Sequence, residues 1–295
     1  MLPRGVVIER ATEFRELLKR HGTREQARFF LAERSLDLGE TEERHLHYQQ
    51  TRARVLGLIP GDWRVATVQR AELDRFLFAA DDVVIVLGQD GLVANVAKYL
   101  DGQPVIGLNP EAGHHPGVLV LHRPEALADL CADLLAGRDD SEHRTMVQAS
   151  LDDGQRLLAL NELFVGHASH QSARYTIQAD GRQERQSSSG VIIATGTGAT
   201  GWASSINRAY GDALALPKPT AGTLAWFVRE AWGSPATGTE LTSGLLDVAS
   251  AITVTSELTD GAVAFGDGIE TDRLSLDWGQ RLTVRVADTR LRLLR

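Results

Sequence analysis

The sequence predicts an N-terminal α/β domain with an open parallel sheet, followed by a mainly β C-terminal domain. In the first half, short apolar strands alternate with helical stretches, the pattern of a parallel sheet with crossover helices. In the second half, strand-like segments follow one another through Gly, Asp and Ser turns, with few convincing helices. We place the boundary near residues 140–144, which gives an α/β domain over 1–143 and a mainly β domain over 144–295.

Strands and helices are predicted in a regular order through the first half. Strands are predicted at GVVIE, at WRVATVQR and at VVIVL, whose apolar residues fall on both faces as a central parallel strand requires. A helix over LVANVAKYL follows, then strands at QPVIGLN and GVLVLH, then an amphipathic helix around Leu127 with Pro124 in its first turn. The charged segment from Glu13 to Arg54 is predicted to be mostly helical.

The composition is that of a globular protein with an acidic balance of charge. The chain has 295 residues, 43% hydrophobic and 24% charged, with a formal net charge of −8, and these proportions are ordinary for folded domains. A nucleic-acid partner calls for a basic stripe, so we expect none. The single cysteine, Cys131, excludes an intramolecular disulfide, and its place in the Leu127 helix predicts a buried apolar residue.

The sequence shows no membrane or targeting segment. No apolar run approaches the roughly 20 residues that a membrane span requires, so we expect no membrane partner. The N-terminal stretch lacks a long apolar segment and includes Glu9, Glu13 and Glu16, which argues against a secretory or mitochondrial leader. A cytoplasmic protein is therefore expected.

A glycine-rich segment, GVIIATGTGATGWASSINR, matches the spacing of a dinucleotide-binding fingerprint at Gly196-x-Gly198-x-x-Gly201. A Rossmann unit also needs a second parallel strand and an acidic residue about 20 positions beyond the motif. Here a short helix and a proline-rich loop follow instead, so the sequence argues against a Rossmann domain. The glycines still allow close approach to a ligand. The hydroxyls of this loop suit a phosphate, a ribose or an adenine edge, and the alternative is a tight turn that caps itself.

A second glycine turn, GQDG, runs from Gly88 to Gly91 between the strand VVIVL and the helix LVANVAKYL. Ligands of open parallel sheets bind at the carboxyl ends of strands, next to the amino ends of helices. Asp90 at such a place can reach a substrate hydroxyl while neighbouring N–H groups face a phosphate. The alternative is an Asp-Gly turn in which Asp90 caps the helix.

A third polar element is the Asn161-Glu162 pair, at a strand end in LLALNELFVGH. An amide beside a carboxylate suits adenine and ribose hydroxyls. The alternative is a turn or a cross-strand polar pair.

Taken in their order along the chain, the three segments resemble the motifs of the NAD kinase family, within the NAD kinase and diacylglycerol kinase superfamily. The family carries a GGDG turn, an Asn-Glu or Asn-Asp pair and a TPTGST-type loop, which here read GQDG, LNE and TGTGAT. The resemblance is greatest to the mitochondrial-type branch, through PVIGLNP, ALNELFVGH, SSSGVIIATGTGATGWASSINR and FGDGIETD. LAWFVREAW resembles the family's REP-type strand, with Ala231 where proline is usual. The resemblance runs from about Val6 to the C-terminus.

The resemblance implies a kinase reaction. It implies transfer of the γ-phosphoryl group of ATP to the 2′-hydroxyl of the adenosine ribose of NAD, giving NADP, with Mg²⁺ as cofactor; polyphosphate is an alternative donor. It also implies an α/β domain and a β-sandwich-like domain with the active site between them, and a homo-oligomer, with a dimer favoured. Because both substrates are anionic, metal and backbone dipoles would neutralise much of the charge.

The resemblance also implies roles for individual residues. Asp90 would be the general base, with Gly88, Gln89 and Gly91 beside the phosphates. Asn161 and Glu162 would hold the adenine and ribose. The remaining implied contacts to the nucleotide are Thr195, Thr197, Thr200, Trp202, Ser205 and, near the site, Asp267; Trp202 stands where an aromatic often packs on the base.

Two positions depart from the family pattern. Gln89 replaces the second glycine of the turn, and Leu92 replaces the threonine that follows it. If the glycine serves a positive φ, glutamine would cost about 1–2 kcal/mol there, and otherwise it could obstruct the triphosphate. Two alternatives therefore stand beside an active NAD kinase: an NAD(P)-binding homologue with weak or no activity, and a lipid or sugar kinase of the superfamily.

Two other chemistries find little support. His114-His115 and the pair His167 and His170 lack the Cys or Asp partners of a structural zinc site, so we expect no metal ligands among them. The run Ser187 to Ser189 lacks the GxSxG elbow of a serine hydrolase.

Overall fold

The computed structural model describes residues 2–111, 117–138 and 140–295. The chain forms two compact units. The first contains Met1–Val96, Gln103–Ser141 and Leu293–Arg295, and the second contains Ala97–Gly102 and Glu142–Arg292. The main division thus falls at residues 141–142, while a short segment on each side of it belongs to the other unit.

The first unit is an α/β fold with a parallel sheet. Its strands are β1 (Arg4–Glu9), β2 (Arg64–Gln69), β3 (Asp82–Leu87) and β4 (Pro104–Leu108), in the order β2-β1-β3-β4, and all three pairings are parallel. Its helices are α1 (Glu13–His21), α2 (Arg24–Ala32), α3 (Leu38–Leu58), α4 (Asp90–Ala97) and α5 (Leu127–Leu135). All six residues of β3 are buried, as the continuous apolar run predicts for an interior strand.

The core of the first unit explains the lone cysteine. Cys131 on α5 packs with Leu127, Ile106 and Leu108, and burial raises the pKa of its thiol to about 11. Cys131 is therefore a small apolar core residue, as the helical pattern predicts.

The segment GVLVLH is not a strand, contrary to the sequence prediction. Residues 117–121 form a loop, and a single bridge joins His122 to Leu108. The backbone N–H groups of Val118, Leu119 and Val120 donate to the carboxylate of Asp90 instead of to a neighbouring strand. Apolar β-branched residues predict a strand. Here the acceptor of their N–H groups is the side chain of Asp90, which lies too far away in sequence for a local pattern to include it.

The second unit contains two sheets packed face to face. The strands are β5 (Ser141–Leu151), β6 (Arg156–Ala159), β7 (Glu162–His167), β8 (Ala173–Ala179), β9 (Arg182–Ser188), β10 (Val191–Ala194), β11 (Thr223–Val228), β12 (Ser243–Asp247), β13 (Ala251–Ser256), β14 (Ala262–Gly266), β15 (Arg273–Leu276) and β16 (Arg281–Leu294). One sheet has the order β12-β11-β10-β7-β14-β15, and the other contains β16-β13-β8-β9 with β5 and β6. Residues of both, such as Val165, Ile193, Ile177 and Val254, share one buried core, which confirms the mainly β domain.

One helix, α6 (Trp202–Ala209), lies on the outer face of the six-stranded sheet. Ala203 packs against Ala194 and Phe227, and Ile206 packs beside Phe164 and Ile192. The strand after this helix, β11, pairs antiparallel with β10. A Rossmann unit requires a parallel pair there, so the sequence argument against that fold is confirmed.

Across the described residues, no helix has the length and apolar character needed to cross a bilayer.

Candidate functional site

The GQDG turn joins β3 to α4 in the first unit. The Gly88 N–H donates to the Leu108 carbonyl at 3.1 Å, and the Leu92 N–H donates to the Gln89 carbonyl at 2.9 Å. A Cβ on Gly88 would lie 3.0 Å from the Leu92 side chain, so glycine here accommodates the leucine that replaces the family's threonine. Gln89 is exposed and is not among the residues with positive φ. The backbone strain that a glutamine could cause at this position is therefore absent.

The carboxylate of Asp90 is held by the backbone of the loop after β4. Its Oδ1 accepts N–H bonds from Leu119 at 2.8 Å, Val120 at 2.9 Å and Val118 at 3.1 Å, whereas Oδ2 accepts only from Val118, at 2.8 Å, within the described residues. These three N–H donors fix the rotamer of the side chain. One oxygen is thus anchored, and the other keeps a lone pair for a further donor.

The Asn161-Glu162 pair lies at the junction of β6 and β7, where the chain leaves one sheet and enters the other. Asp267 holds this junction from one side. Its Oδ2 accepts the Leu160 N–H at 2.9 Å, its Oδ1 accepts the Asn161 N–H at 2.7 Å, and its own N–H donates to the Glu162 carbonyl at 3.1 Å. The carboxylate of Asp267 is therefore engaged with the backbone.

The glycine-threonine loop holds the same junction from the other side. Thr195 is fully buried; its hydroxyl donates to the Leu160 carbonyl at 2.5 Å, and its N–H donates to the Asn161 carbonyl at 2.9 Å. A Cβ on Gly198 would lie 2.3 Å from the Asn161 carbonyl oxygen, and one on Gly196 would lie 2.0 Å from the Lys218 carbonyl oxygen. These two glycines therefore allow close packing against the protein's own backbone, whereas the sequence predicted that they allow close approach to a ligand.

Thr197 presents a hydroxyl without a partner in this loop. The residue is 8% exposed, and its Oγ1 has no hydrogen-bond partner in the part of the chain that the structure describes. A buried unpaired hydroxyl is costly in a folded protein and marks a place where a ligand could supply the missing bond. Thr200, Trp202 and Ser205 are exposed on the same loop and on the first turns of α6.

The two carboxyl groups of the junction are electrostatically coupled. Burial, followed by the negative charge of Asp267, raises the pKa of Glu162 to about 7. Burial raises the pKa of Asp267 to about 6, although backbone donors and the positive charge of Lys98 oppose this. Lys98 is itself buried and pairs with Asp272 at 2.5 Å, and the Tyr99 hydroxyl donates to the same carboxylate at 2.8 Å. The sequence reading missed Lys98, Tyr99 and Asp272 because they lie outside the three motifs.

An aromatic cleft of about 200 Å³ lies on the outer face of the six-stranded sheet, beside α6. The rings of Phe164 and Trp202 are nearly parallel, at 7°, with centroids 6.3 Å apart, and Phe265 lies 4.9 Å from Phe164. Arg229 lies over the Trp202 ring at 5.1 Å. Sequence reasoning named Trp202 but missed the two phenylalanines, although Glu162 and Phe164 share one face of β7 through the two-residue repeat of a strand.

Known proteins resemble this chain in sequence and in fold. It is 35% identical over 137 residues to the NAD kinase of Aromatoleum aromaticum, across 44% of this chain and 45% of that protein. It is 30% identical over 222 residues to NAD kinase 2, mitochondrial, of Rattus norvegicus, across 60% of this chain and 52% of that one. A crystal structure of yeast NADH kinase complexed with NADH shares the fold, with a TM-score of 0.59 at 14% identity over 100% of this chain and 84% of that one.

The chain is therefore similar to NAD kinases in sequence and to an NADH kinase in fold. It spans about half the length of the curated relatives it matches. No family model matches it.

The residues expected from the NAD kinase family fall into two groups, one in each unit. In the first unit, Gly88, Gln89, Asp90 and Gly91 form one turn. In the second, hydrogen bonds and close packing join Asn161, Glu162, Asp267 and the glycine-threonine loop. Thr195 and Asp267 use their side chains within the protein, whereas Thr197, Thr200, Trp202 and Ser205 have side chains open to a further contact.

Within the described residues, no three His, Cys, Asp or Glu side chains converge on a point where a metal ion could sit. His114 and His115 lie outside these residues. The described residues therefore form no all-protein cage for Mg²⁺, whose preferred ligands are oxygens.

Proposed function

We propose that this chain is an NAD kinase that transfers the γ-phosphoryl group of ATP to the 2′-hydroxyl of the adenosine ribose of NAD, giving NADP. The observation that supports this most is the Asn161-Glu162 junction, braced from both sides, next to the buried unpaired hydroxyl of Thr197. An amide, a carboxyl group and a hydroxyl on one rigid support match the edges of an adenosine.

Binding of the adenosine would use the groups that the protein leaves unpaired. Asn161 and Glu162 would bind the adenine edge and the ribose hydroxyls, and Thr197 would gain its missing bond. Trp202, which lines the aromatic cleft, would pack on a base, a contact worth about 0.5–1.5 kcal/mol beyond the area buried. Thr195 would act by supporting Leu160 and Asn161.

Asp90 would act on the attacking hydroxyl through Oδ2. The anchored Oδ1 limits its rotation, so that a hydroxyl donating to Oδ2 is held in one orientation. As the general base, Asp90 would need to take the proton only late, because phosphoryl transfer proceeds through a loose transition state with little nucleophile deprotonation at the outset.

The test is direct. Purified protein incubated with NAD, ATP and Mg²⁺ is expected to form NADP, measured by ion-exchange chromatography, with omission of ATP as the control. Polyphosphate in place of ATP tests the alternative donor. Sedimentation analysis of the same protein tests the proposed homo-oligomer, for which a dimer is favoured.

A second candidate function is an NAD(P)-binding protein without transfer activity. The observation that favours it is the engagement of Asp90 by three backbone donors beside a glutamine in place of glycine. Tight NAD binding by calorimetry with no NADP formed from either donor would favour this candidate.

A further inference from the structure

Asp267 occupies a position directly beside Glu162. Strands β7 and β14 pair antiparallel with Leu163 opposite Gly266, so Asp267, the residue that follows β14, comes opposite Glu162. The 3.1 Å hydrogen bond from the Asp267 N–H to the Glu162 carbonyl fixes this register beyond the last strand residue.

The backbone conformation of Asp267 directs its side chain toward the junction. Its φ is +54°, in the left-handed region that Asp and Asn tolerate better than most residues. In this conformation the side chain turns back to the junction, where its two oxygens take the N–H groups of Leu160 and Asn161. One residue thus satisfies three backbone groups of the segment that presents Asn161 and Glu162.

We propose that Asp267 is a positioning residue that acts through Glu162: its carboxylate and its N–H fix the backbone of residues 160–162, and its position beside Glu162 places a second negative charge next to that carboxyl group. For its consequence on substrate binding, this inference rests on the proposed function. It reassigns Asp267 from a ligand contact to a residue that prepares one.

The charged groups around the pair have defined roles. Glu162 is influenced by burial and by the charge of Asp267, both of which raise its pKa. Asp267 is influenced by backbone donors and by Lys98, which lower its pKa against the effect of burial. Asp272 pairs with Lys98, and this bond to Lys98 lowers the pKa of Asp272 against the effect of burial.

The coupling has a consequence for nucleotide binding. Ribose hydroxyls donate hydrogen bonds, so they bind the ionised form of Glu162, and the protonated form must first lose its proton. With the pKa of free Glu162 at about 7, affinity for NAD is expected to rise up to about tenfold from pH 6 to pH 8 and then to level off. If removal of the Asp267 charge lowers this pKa by about one unit, the rise over the same range falls to about twofold.

The experiment measures the Glu162 carboxyl itself. Protein labelled with ¹³C at the glutamate carboxyl is titrated by NMR, and the Glu162 signal is assigned by its absence in Glu162→Gln. Asp267→Asn and Asp267→Gly both suit a positive φ, and each is expected to lower the Glu162 midpoint by about one pH unit. Asp260→Asn, the same change at the exposed other end of β14, is the matched control and is expected to leave the midpoint unchanged.

The outcomes separate this inference from the proposed function. A Glu162 midpoint that stays in place in both Asp267 variants overturns the positioning role, whatever NAD does. Calorimetry with NAD between pH 6 and pH 8 is then run on the same proteins. If NAD does not bind the wild type, the proposed function fails while the carboxyl titration still decides the role of Asp267. A flattened pH dependence in Asp267→Asn but not in Asp260→Asn supports both.

Discussion

The two oxygens of Asp90 have different surroundings, and this difference decides what the side chain can do. Oδ1 accepts from three backbone N–H groups, and Oδ2 from one. The sequence offered two readings of Asp90, a helix cap and a contact to substrate. The structure shows a third role: the carboxylate of Asp90 accepts hydrogen bonds from a loop about thirty residues further along the chain. No local sequence pattern contains this contact.

Gln89 provides a prediction about the phosphoryl donor. Because its φ is ordinary and its side chain is exposed, Gln89→Gly is expected to change the free energy of unfolding by no more than about 1 kcal/mol. If the side chain obstructs the triphosphate, the variant uses ATP at a lower KM, with the KM for NAD unchanged. Steady-state kinetics with each substrate varied in turn measures this. An equal or higher KM for ATP would show that Gln89 does not stand in the way.

The hydroxyls of the glycine-threonine loop show what a sequence can and cannot tell at single positions. The sequence predicts that Thr195, Thr197 and Thr200 are all candidates for a ligand. In the structure, Thr195 is buried and bonded within the protein, Thr197 is buried and unpaired, and Thr200 is exposed. A loop has no regular period, so the direction of each side chain follows only from the tertiary packing.

The loop and the strand junction depend on each other through backbone contact. A Cβ at Gly198 would overlap the Asn161 carbonyl oxygen, at 2.3 Å. Gly198→Ala is therefore expected to displace the junction, to lower the free energy of unfolding by about 1–3 kcal/mol, and to weaken NAD binding at least about tenfold. Urea unfolding and NAD calorimetry measure the two effects.

Gly233 offers a matched control for that substitution. A Cβ there would lie 3.5 Å from its nearest neighbour, the Thr239 side chain, an ordinary contact. Gly233→Ala should leave NAD affinity unchanged. Equal losses of affinity in both variants would show that the close packing of Gly198 has no special role.

The element most clearly mispredicted is GVLVLH, and the one most clearly predicted is VVIVL. Both are apolar and β-branched, and both lie near glycine. The strand β3 has partners on both sides, whereas the N–H groups of residues 118–120 bond to Asp90. Local propensity cannot distinguish these cases, because what decides them is the availability of a neighbouring strand.

The order of the elements along the chain predicts the fold class more securely than any single site residue. Alternating strands and helices give the parallel sheet of the first unit, and consecutive strands give the two sheets of the second. The return of residues 97–102 to the second unit and of 293–295 to the first was not visible in the sequence, because neither segment differs in composition from its neighbours.

The ionised form of Glu162 lowers the free energy of unfolding of the whole protein, because its surroundings disfavour the charge. Its pKa is raised from the ordinary 4.5 to about 7, so the folded state binds the proton more tightly than the unfolded state. The stability from this group is present below about pH 4.5 and is lost as pH rises to about 7. Glu162→Gln is expected to be more stable than wild type at pH 8, by on the order of 2 kcal/mol, and to show little gain at pH 5.

Urea unfolding at both pH values measures this difference. Glu43→Gln, a change at an exposed glutamate of α3, serves as the control. Its difference from wild type in the free energy of unfolding should be the same at both pH values. A Glu162→Gln protein that is no more stable than wild type at pH 8 would contradict the raised pKa of Glu162.

The most direct measurement of the account is the initial rate of NADP formation by wild type and by Asp90→Asn, at saturating NAD and ATP with Mg²⁺, alongside NAD affinity on the same samples. The amide of this variant keeps one oxygen for the loop N–H groups but offers no charged oxygen to the hydroxyl. We expect that wild type forms NADP, that the variant is slower by at least about 100-fold, and that NAD affinity changes by less than about threefold. A variant that forms NADP at the wild-type rate would contradict it.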